Sequence, residues 1–211
     1  VIIFPGSNCD QDIVSSIYSI TNKKPNEIWY KDNLPKNTDF IILPGGFSFG
    51  DYLRSGAIAS ASNIIREVIS FSKKGTPIMG ICNGFQILTE ANLLPGTLII
   101  NKNLKFICKD IYLKVINNRC IFTHKLNNAV LRLPIAHKMG NYVATKDVLK
   151  ELTENEQIVF KYCSKDGKIT NANNPNGSLS SIAGILSLNK RILGMMPHPE
   201  RYTDIKHKDI I

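Results

Sequence analysis

One cysteine in the sequence stands in a setting that favours nucleophilic chemistry. Cys82 is the centre of Gly80-Ile81-Cys82-Asn83-Gly84, between the apolar segment PIMGI and the amphipathic segment NGFQILTEANLL. Glycines two residues before and after a nucleophile permit a sharp, strained turn from strand to helix that exposes the side chain. The start of a helix also favours the thiolate, which attacks carbonyl carbon. We therefore predict that Cys82 is a nucleophile rather than a buried core cysteine.

A cysteine nucleophile needs a base to carry its proton and an acid to orient that base. The tripeptide His198-Pro199-Glu200 offers both. Pro199 favours an extended backbone before it, and residues two apart on an extended chain project to the same side. We predict that His198 is the base and that Glu200 orients it. Standing alone, this motif would also fit a surface turn after the strand ILGMM.

A glycine-rich segment could stabilise the charge that develops during acyl transfer. PGGFSFGD, residues 44–51, follows the apolar segment FIIL and precedes an amphipathic segment that starts at Ala57. Acyl transfer requires N–H donors directed at the developing oxyanion. We predict that the backbone N–H groups of Gly46 and Asn83 supply them. An ordinary turn or a phosphate loop are the alternatives, and the lack of a GxxxxGK[ST] pattern argues against the second.

The other cysteines and the histidines show no pattern of a disulfide framework or a metal site. Five cysteines are an odd number at irregular spacing without a CxxC pair, and the four histidines lack HExxH spacing. We therefore predict no metal site. We interpret the remaining cysteines as buried structural residues: Cys9, Cys108, Cys120 and Cys163.

Two kinds of apolar pattern surround these residues. In FIILP and PIMGIC the apolar residues are continuous, as in strands buried on both faces of a parallel sheet. After Gly96, shorter apolar runs, among them CIFTH, alternate with Asn- and Gly-rich turns and predict antiparallel strands. We predict an α/β fold with a flavodoxin-like, mostly parallel sheet, helices on both faces and an antiparallel extension. Helices are predicted at about 12–21, 57–74 and 83–94.

Composition limits the classes of protein to consider. The chain has 211 residues, 43% of them hydrophobic and 20% charged, which fits a single globular domain over residues 1–211. No apolar run reaches the roughly 18 residues of a membrane helix, and the charge of +9 comes without a nucleic-acid-binding motif. We expect a cytoplasmic protein that binds neither membrane nor nucleic acid. The opening VIIFP and the end KHKDII look clipped, so short terminal pieces are expected to be missing.

Several longer motifs carry a family resemblance. PGGFSFGDYLRSGAIA, GICNGFQILTEANLLPG, PIAHKMGNY, NPNGS, IAGI and GMMPHPER resemble the glutaminase subunits of phosphoribosylformylglycinamidine synthases, over nearly the whole chain. The GxCxGxQ motif with a distant HxE is shared by class I glutamine amidotransferases generally. GFSFGDYLRSGA and MMPHPER look specific to this one group of subunits.

The resemblance implies glutamine hydrolysis by Cys82, His198 and Glu200, with ammonia passed to a large ATP-using synthetase subunit. It also implies a small accessory subunit in the complex. ATP and Mg are then expected in the synthetase subunit and no cofactor in this chain. The residues that it implies as glutamine contacts are Gln86, Phe47, Gly140 and Asn141. For Gln86 a helix-surface glutamine is the alternative.

One segment departs from the family pattern. The family usually reads PIAHGEGNY, and here Lys138 and Met139 replace the Gly-Glu pair. We expect the segment to border the substrate pocket or the partner interface. The hypothesis is therefore that coupling to the synthetase is altered and that the triad is retained.

Three other functions remain open at this point. A glutaminase for another acceptor, such as a guanylate or anthranilate synthase component, would share the nucleophile turn and the HxE pair, but PGGFSFGDYLRSGA argues against it. A cysteine peptidase on a similar sheet would need no partner. A catalytically silent binding module would keep the fold only for assembly, but Cys82, His198 and Glu200 are all present.

Overall fold

The computed structural model describes residues 1–127 and 129–202. The strands in these ranges are β1 (Ile2–Ile3), β2 (Ile28–Trp29), β3 (Ile41–Leu43), β4 (Ile78–Ile81), β5 (Thr97–Ile99), β6 (Ile107–Val115), β7 (Val130–His137), β8 (Asn141–Val143), β9 (Ile158–Cys163), β10 (Ile182–Leu186) and β11 (Ile192–Met195). The α-helices are α1 (Asp10–Thr21), α2 (Ala57–Ser60), α3 (Asn63–Lys73), α4 (Asn83–Glu90) and α5 (Lys146–Glu154). Among the described helices, none has the length and apolar character needed to cross a membrane.

Seven strands form one mixed sheet in the order β3-β4-β11-β10-β9-β6-β7. The pairs β3–β4 and β4–β11 are parallel, whereas the four other neighbouring pairs are antiparallel. β1 and β2 form a separate parallel pair, and β5 and β8 a separate antiparallel pair. The α/β class and the antiparallel extension are confirmed. The extension is larger than expected, so the main sheet is mixed rather than mostly parallel.

Continuous apolar runs form the centre of the fold, as predicted. All three residues of β3 are buried, and Ile78 and Ile81 of β4 are buried as well. Helix α4 is buried over seven of its eight residues and contacts β3, β4 and β11. A helix enclosed on this scale is held by packing and not by its own propensity. Cys82 is therefore followed by a helix that is buried over nearly its whole length.

The five helices all contribute side chains to one hydrophobic cluster. A second cluster lies against the antiparallel strands, and there Cys120, Phe122 and Leu126 provide part of the cover. These residues belong to an irregular segment and not to a helix. Within the described residues, helical cover therefore does not extend over this part of the sheet.

Some local predictions were wrong for identifiable reasons. CIFTH is a turn, because the N–H groups of Thr123 and His124 donate to the carbonyl oxygen of Cys120. The segment 57–74 is two helices, separated where Ser62 adopts an extended backbone. Strand β7 contains Pro134, which the edge position of β7 tolerates since one side of an edge strand needs no ladder partner. Cys108 is exposed and not buried.

Gly84 is a position of close contact between α4 and the sheet. A Cβ built on Gly84 would overlap the carbonyl oxygen of Leu43 in β3. Backbone of the sheet cannot move aside as the end of a flexible side chain can. The glycine therefore sets how closely the helix approaches the strand.

We expect Gly84→Ala to destabilise the fold by about 3 kcal/mol, because overpacking at a fixed backbone contact is costly. Helix propensity alone predicts the opposite sign, since Ala is favoured over Gly by about 1 kcal/mol in a helix. Denaturant unfolding at 25 °C measures the difference. Gly75→Ala is the control, because Gly75 has φ +81° but open space around its Cα. Equal losses in the two variants would contradict the packing argument.

Candidate active site

The backbone turns sharply at Cys82, between β4 and α4. Its φ of 50° and ψ of −104° lie outside the regions that an L-residue normally occupies. The N–H of Cys82 donates to the carbonyl oxygen of Met195 at 2.8 Å, which fixes the turn to β11. A Cβ on Gly80 would lie 2.5 Å from Leu88 Cδ1 and 2.6 Å from the backbone of Gly84. Both glycines are thus needed for close packing around the turn.

His198 and Glu200 meet directly after β11. His198 Nδ1 and Glu200 Oε1 are 2.6 Å apart, and both side chains are buried. The backbone differs from the prediction, because Pro199–Arg201 is a 3-10 turn and not an extended segment. The N–H of His198 donates to the carbonyl oxygen of Pro134 in β7 at 2.9 Å, which anchors the turn to the edge strand.

The electrostatics of His198 favour the charged imidazolium. Burial alone lowers the pKa of His198, but the negative charge of the nearby Cys82 sulfur, and then contacts of the ring with Cys82, Cys9 and Glu200, raise it well above the ordinary value. Cys82 Sγ lies 3.8 Å from the carbonyl oxygen of Ala136. Among the described residues no partner makes an aligned hydrogen bond with His198 Nε2. The ring thus has one nitrogen fixed by the carboxylate and the other available to move a proton.

Gly46 and Cys82 line the same cleft, which has a volume of about 390 Å³. Gly46 has φ 139°, and a Cβ there would lie 2.7 to 2.8 Å from backbone atoms of Gly6 and Asn8. The adjacent N–H of Phe47 donates to the carbonyl oxygen of Gly6. The loop after β3 is thereby tied to the loop after β1, and only glycine fits at its turning point.

The side chain of Asn83 connects the glycine loop, residues 44–51 after β3, to α4. Its Oδ1 accepts from the N–H of Ser48 at 3.1 Å, and its Nδ2 donates to Gln86 Oε1 at 2.9 Å and to Asp51 Oδ1 at 3.3 Å. The backbone N–H of Asn83 belongs to the first turn of α4, where N–H groups have no intrahelical acceptor. The loop after β3 and the first turn of α4, which carry the predicted oxyanion donors, are therefore held in a fixed relation.

The residues implied as glutamine contacts divide into two groups. Phe47 and Gln86 line the cleft with Cys82, although the Gln86 side chain is already bonded, since its Nε2 donates to the carbonyl oxygen of Met139 at 2.5 Å. Gly140 and Asn141 do not line the cleft. The carbonyl oxygen of Gly140 accepts hydrogen bonds from the side chains of Asn176 and Ser178. Gly140 therefore belongs to the hydrogen bonding that holds this loop and not to the cleft lining.

Several cleft residues carried no clear signal in the sequence. Lys138 and Met139 lie in the cleft lining, and the sequence predicted that their segment borders the substrate pocket or the partner interface. Other lining residues were missed: Asp51, Ser55, Ile100, Phe106, Ala136 and His137. Two motifs could have indicated some of these residues: the glycine-rich segment and PIAHKMGNY. Ile100 and Phe106 occur in no motif.

Two titratable groups in the cleft depart from their ordinary behaviour. Burial, and then the charge on His198, lowers the pKa of His137 to about 4, so this ring is neutral near pH 7. Burial raises the pKa of Asp51, and the hydrogen bond from Ser55 opposes the change. The cleft around the sulfur therefore contains a neutral imidazole and a partly desolvated carboxyl group.

The ligand atoms of Cys9, His198 and Glu200 lie within 4.8 Å of one another, a spacing that metal ligands can have. These atoms are already bonded, because His198 Nδ1 pairs with Glu200 and Arg201 Nη2 donates to Cys9 Sγ at 3.0 Å. A cation would have to displace a guanidinium and break the ion pair. The geometry favours a hydrogen-bonded cluster over a metal site.

Comparison with known proteins agrees with this geometry. A family model for the CobB/CobQ-like glutamine amidotransferase domain matches residues 1–211. The phosphoribosylformylglycinamidine synthase subunit PurQ of Moorella thermoacetica is 51% identical over 202 residues, which cover 95% of this chain and 86% of that protein. The PurQ subunit of Aquifex aeolicus is 46% identical over 205 residues, which cover 97% of this chain and 90% of that protein.

Solved structures extend the comparison. A chain in the structure of PurLQS from Thermotoga maritima superposes with a TM-score of 0.85 and 40% identity, over 98% of this chain and 89% of that chain. A glutamine amidotransferase from the same organism has a TM-score of 0.58 and 16% identity, over 94% of this chain and 74% of that chain, which shows the shared fold alone. This protein thus belongs to the CobB/CobQ-like glutamine amidotransferase family and, within it, to the PurQ subunits of phosphoribosylformylglycinamidine synthases.

Proposed function

We propose that this chain is the glutaminase subunit of a phosphoribosylformylglycinamidine synthase, and that Cys82, His198 and Glu200 hydrolyse glutamine. The observation that carries the proposal is the buried His198–Glu200 pair at 2.6 Å beside the strained Cys82 turn. A base that is fixed at one nitrogen and electrostatically coupled to a sulfur is the arrangement that nucleophilic catalysis requires. Membership of the PurQ subunits supports glutamine as the substrate.

The first half of the reaction forms a thioester. The Cys82 thiolate attacks the carboxamide carbon of glutamine, and the backbone N–H groups of Gly46 and Asn83 stabilise the oxyanion. His198 donates its Nε2 proton to the departing nitrogen, so that ammonia leaves when the C–N bond breaks. Glu200 holds Nδ1 and stabilises the charge on the ring during this transfer.

The second half restores the enzyme. Neutral His198 takes a proton from water at Nε2, and the resulting hydroxide attacks the thioester carbon. The C–S bond breaks as the second tetrahedral intermediate collapses. Glutamate leaves, Cys82 returns as a thiolate, and His198 returns as an imidazolium.

We further propose that the ammonia passes to a large synthetase subunit, with a small accessory subunit in the same complex. The relative from Thermotoga maritima is named PurLQS, which supports a multi-subunit assembly. ATP and Mg would then act in the synthetase, and the part of this chain described by the structure would supply only the nitrogen. Ammonia that is released in a cleft and not in bulk water can be transferred before it is protonated.

Cys82→Ala is expected to abolish ammonia release from glutamine, both alone and with the ATP-loaded synthetase, because the thioester cannot form. The assay measures glutamate and ammonia with and without the synthetase. Cys163→Ala, which also removes a buried sulfur, is the control and should retain activity. Glutamine-dependent activity in Cys82→Ala, or none in the wild-type complex, would contradict the proposal.

Glu200→Gln is expected to lower kcat on the order of 100-fold, because the amide no longer stabilises the imidazolium. The carboxylate raises the pKa of His198, so its loss should also move the alkaline limb of kcat/KM to lower pH. A pH profile of glutamine hydrolysis measures both effects. Glu154→Gln, at an exposed carboxylate, is the control. An unchanged alkaline limb would be the contrary result.

Lys138→Glu tests the hypothesis about the departing segment. Lys138 is an exposed cation on the cleft lining, so charge reversal should change synthetase binding or the share of ammonia that is transferred by at least about threefold. Glutaminase activity with saturating synthetase, and amidine formed per glutamate, measure the coupling. Lys36→Glu, on the loop before β3, is the control. If Lys138→Glu assembles and transfers ammonia like the wild type, the hypothesis fails.

A further inference from the structure

A second cysteine lies beside the catalytic histidine and has no role in the proposed mechanism. Cys9 immediately precedes α1 and is buried, with 2% of its surface exposed. Its sulfur and a ring nitrogen of His198 lie within 4.8 Å of each other. A Cβ built on Gly45 would lie 3.1 Å from Cys9 Sγ, 2.7 Å from His198 Cε1 and 3.3 Å from Nδ1. The sulfur therefore lies beside the imidazole ring, with Gly45 packed against both.

Arg201 fixes the position of this sulfur. Arg201 Nη2 donates to Cys9 Sγ at 3.0 Å, and Arg201 Nε donates to Asp12 Oδ2 at 3.2 Å. The thiol itself donates to Asn8 Oδ1 at 3.3 Å. Arg201 directly follows Glu200 in the turn Pro199–Arg201. This turn therefore contacts the His198 ring through Glu200 and the start of α1 through Arg201. This connection spans 192 residues of sequence between Cys9 and Arg201.

The backbone of Cys9 ties the same sulfur to the glycine loop. Its N–H donates to the carbonyl oxygen of Gly45 at 3.4 Å, and its side chain makes no capping bond to α1. Cys9 does not cap α1, so the start of the helix does not explain why a cysteine is at this position. Its sulfur instead faces the guanidinium of Arg201 and the imidazole of His198. Its neighbours belong to the catalytic apparatus.

We propose that Cys9 is a positioning residue for His198, whose sulfur, held by Arg201, keeps the imidazole in the plane in which Nδ1 faces Glu200 and Nε2 faces Cys82. The inference rests on the proposed function, because His198 must be the base. Sulfur is large and polarisable, so it fills the space beside the ring and favours the charged imidazolium. Among the influences on His198, contact with Cys9 raises its pKa.

The titratable and charged groups near His198 come from several elements. They are Cys82 at the start of α4, Cys9 at the start of α1, His137 on β7, and Glu200 and Arg201 on its own turn, with Asp12 of α1 behind Arg201. Of these, Glu200 pairs with Nδ1 of the ring, and Cys9 also contacts the ring. Removal of the Cys9 sulfur should therefore change the orientation and the pKa of the ring together.

The test compares Cys9→Ala, Cys9→Ser and the control Cys163→Ala. In complex with the synthetase, Cys9→Ala is expected to lower kcat for glutamine about tenfold with KM within about twofold, because a lost contact to a charged group costs rate and not substrate binding. NMR titration of the His198 imidazole should give a lower pKa in Cys9→Ala than in wild type. Cys9→Ser keeps a polar atom of similar position and should restore kcat to within about threefold of wild type.

The outcomes separate positioning from bulk packing. If Cys9→Ala folds and its kcat and His198 titration match the wild type, the proposal is wrong. It is also wrong if kcat falls while the titration stays unchanged, or if Cys163→Ala loses as much activity. If Cys9→Ala does not fold, Cys9→Ser decides, since a tenfold loss there overturns the proposal. The titration needs no glutamine, so it tests Cys9 even where glutamine hydrolysis fails.

Discussion

The backbone of Cys82, with φ 50° and ψ −104°, is the conformation that the rest of the site depends on. Such a conformation costs about 1–3 kcal/mol and persists only where surrounding structure enforces it. Here the N–H of Cys82 is bonded to Met195 in β11, while Gly80 and Gly84 let α4 pack against β3 at backbone distance. The buried centre of the sheet therefore maintains the strained conformation of Cys82, because displacing the backbone there would be costly.

The sheet order explains why the proposed nucleophile, Cys82, and the proposed base, His198, lie close together. β4 and β11 are parallel neighbours, with Ile81 opposite Met195. The segments that follow the two strands therefore leave the sheet at the same edge. Cys82 follows one strand and His198 follows the other after two further residues. The ends of adjacent parallel strands are where α/β folds place ligands. In this mixed sheet the parallel part is small, yet it contains the two strands that lead to Cys82 and His198.

Features that depend on neighbouring residues could be predicted from the sequence, whereas features that depend on contacts between distant residues could not. The turn at Cys82 could be predicted because two glycines, an apolar strand and an amphipathic helix adjoin within about 18 residues. The pairing of His198 with Glu200 was predicted for a wrong reason, since a 3-10 turn and the bond to Pro134 bring the side chains together. Ile100 and Phe106 of the cleft, and the strand β7, could not be predicted because their positions depend on long-range pairing. The contact between Cys9 and Arg201 is invisible in sequence for the same reason.

Charge balance links the stability of this region to its chemistry. A carboxylate and an imidazolium buried to the extent of Glu200 and His198 are tolerable only as a pair, because each alone would bear an uncompensated desolvation cost. The second cation, Arg201, is in turn balanced by Asp12 and contacts the sulfur of Cys9. Each positive group in the cluster therefore has a negative or polarisable neighbour on another element. Because the same contacts connect α1, β11 and the turn after it, the contacts that set the charge of His198 also hold these elements together.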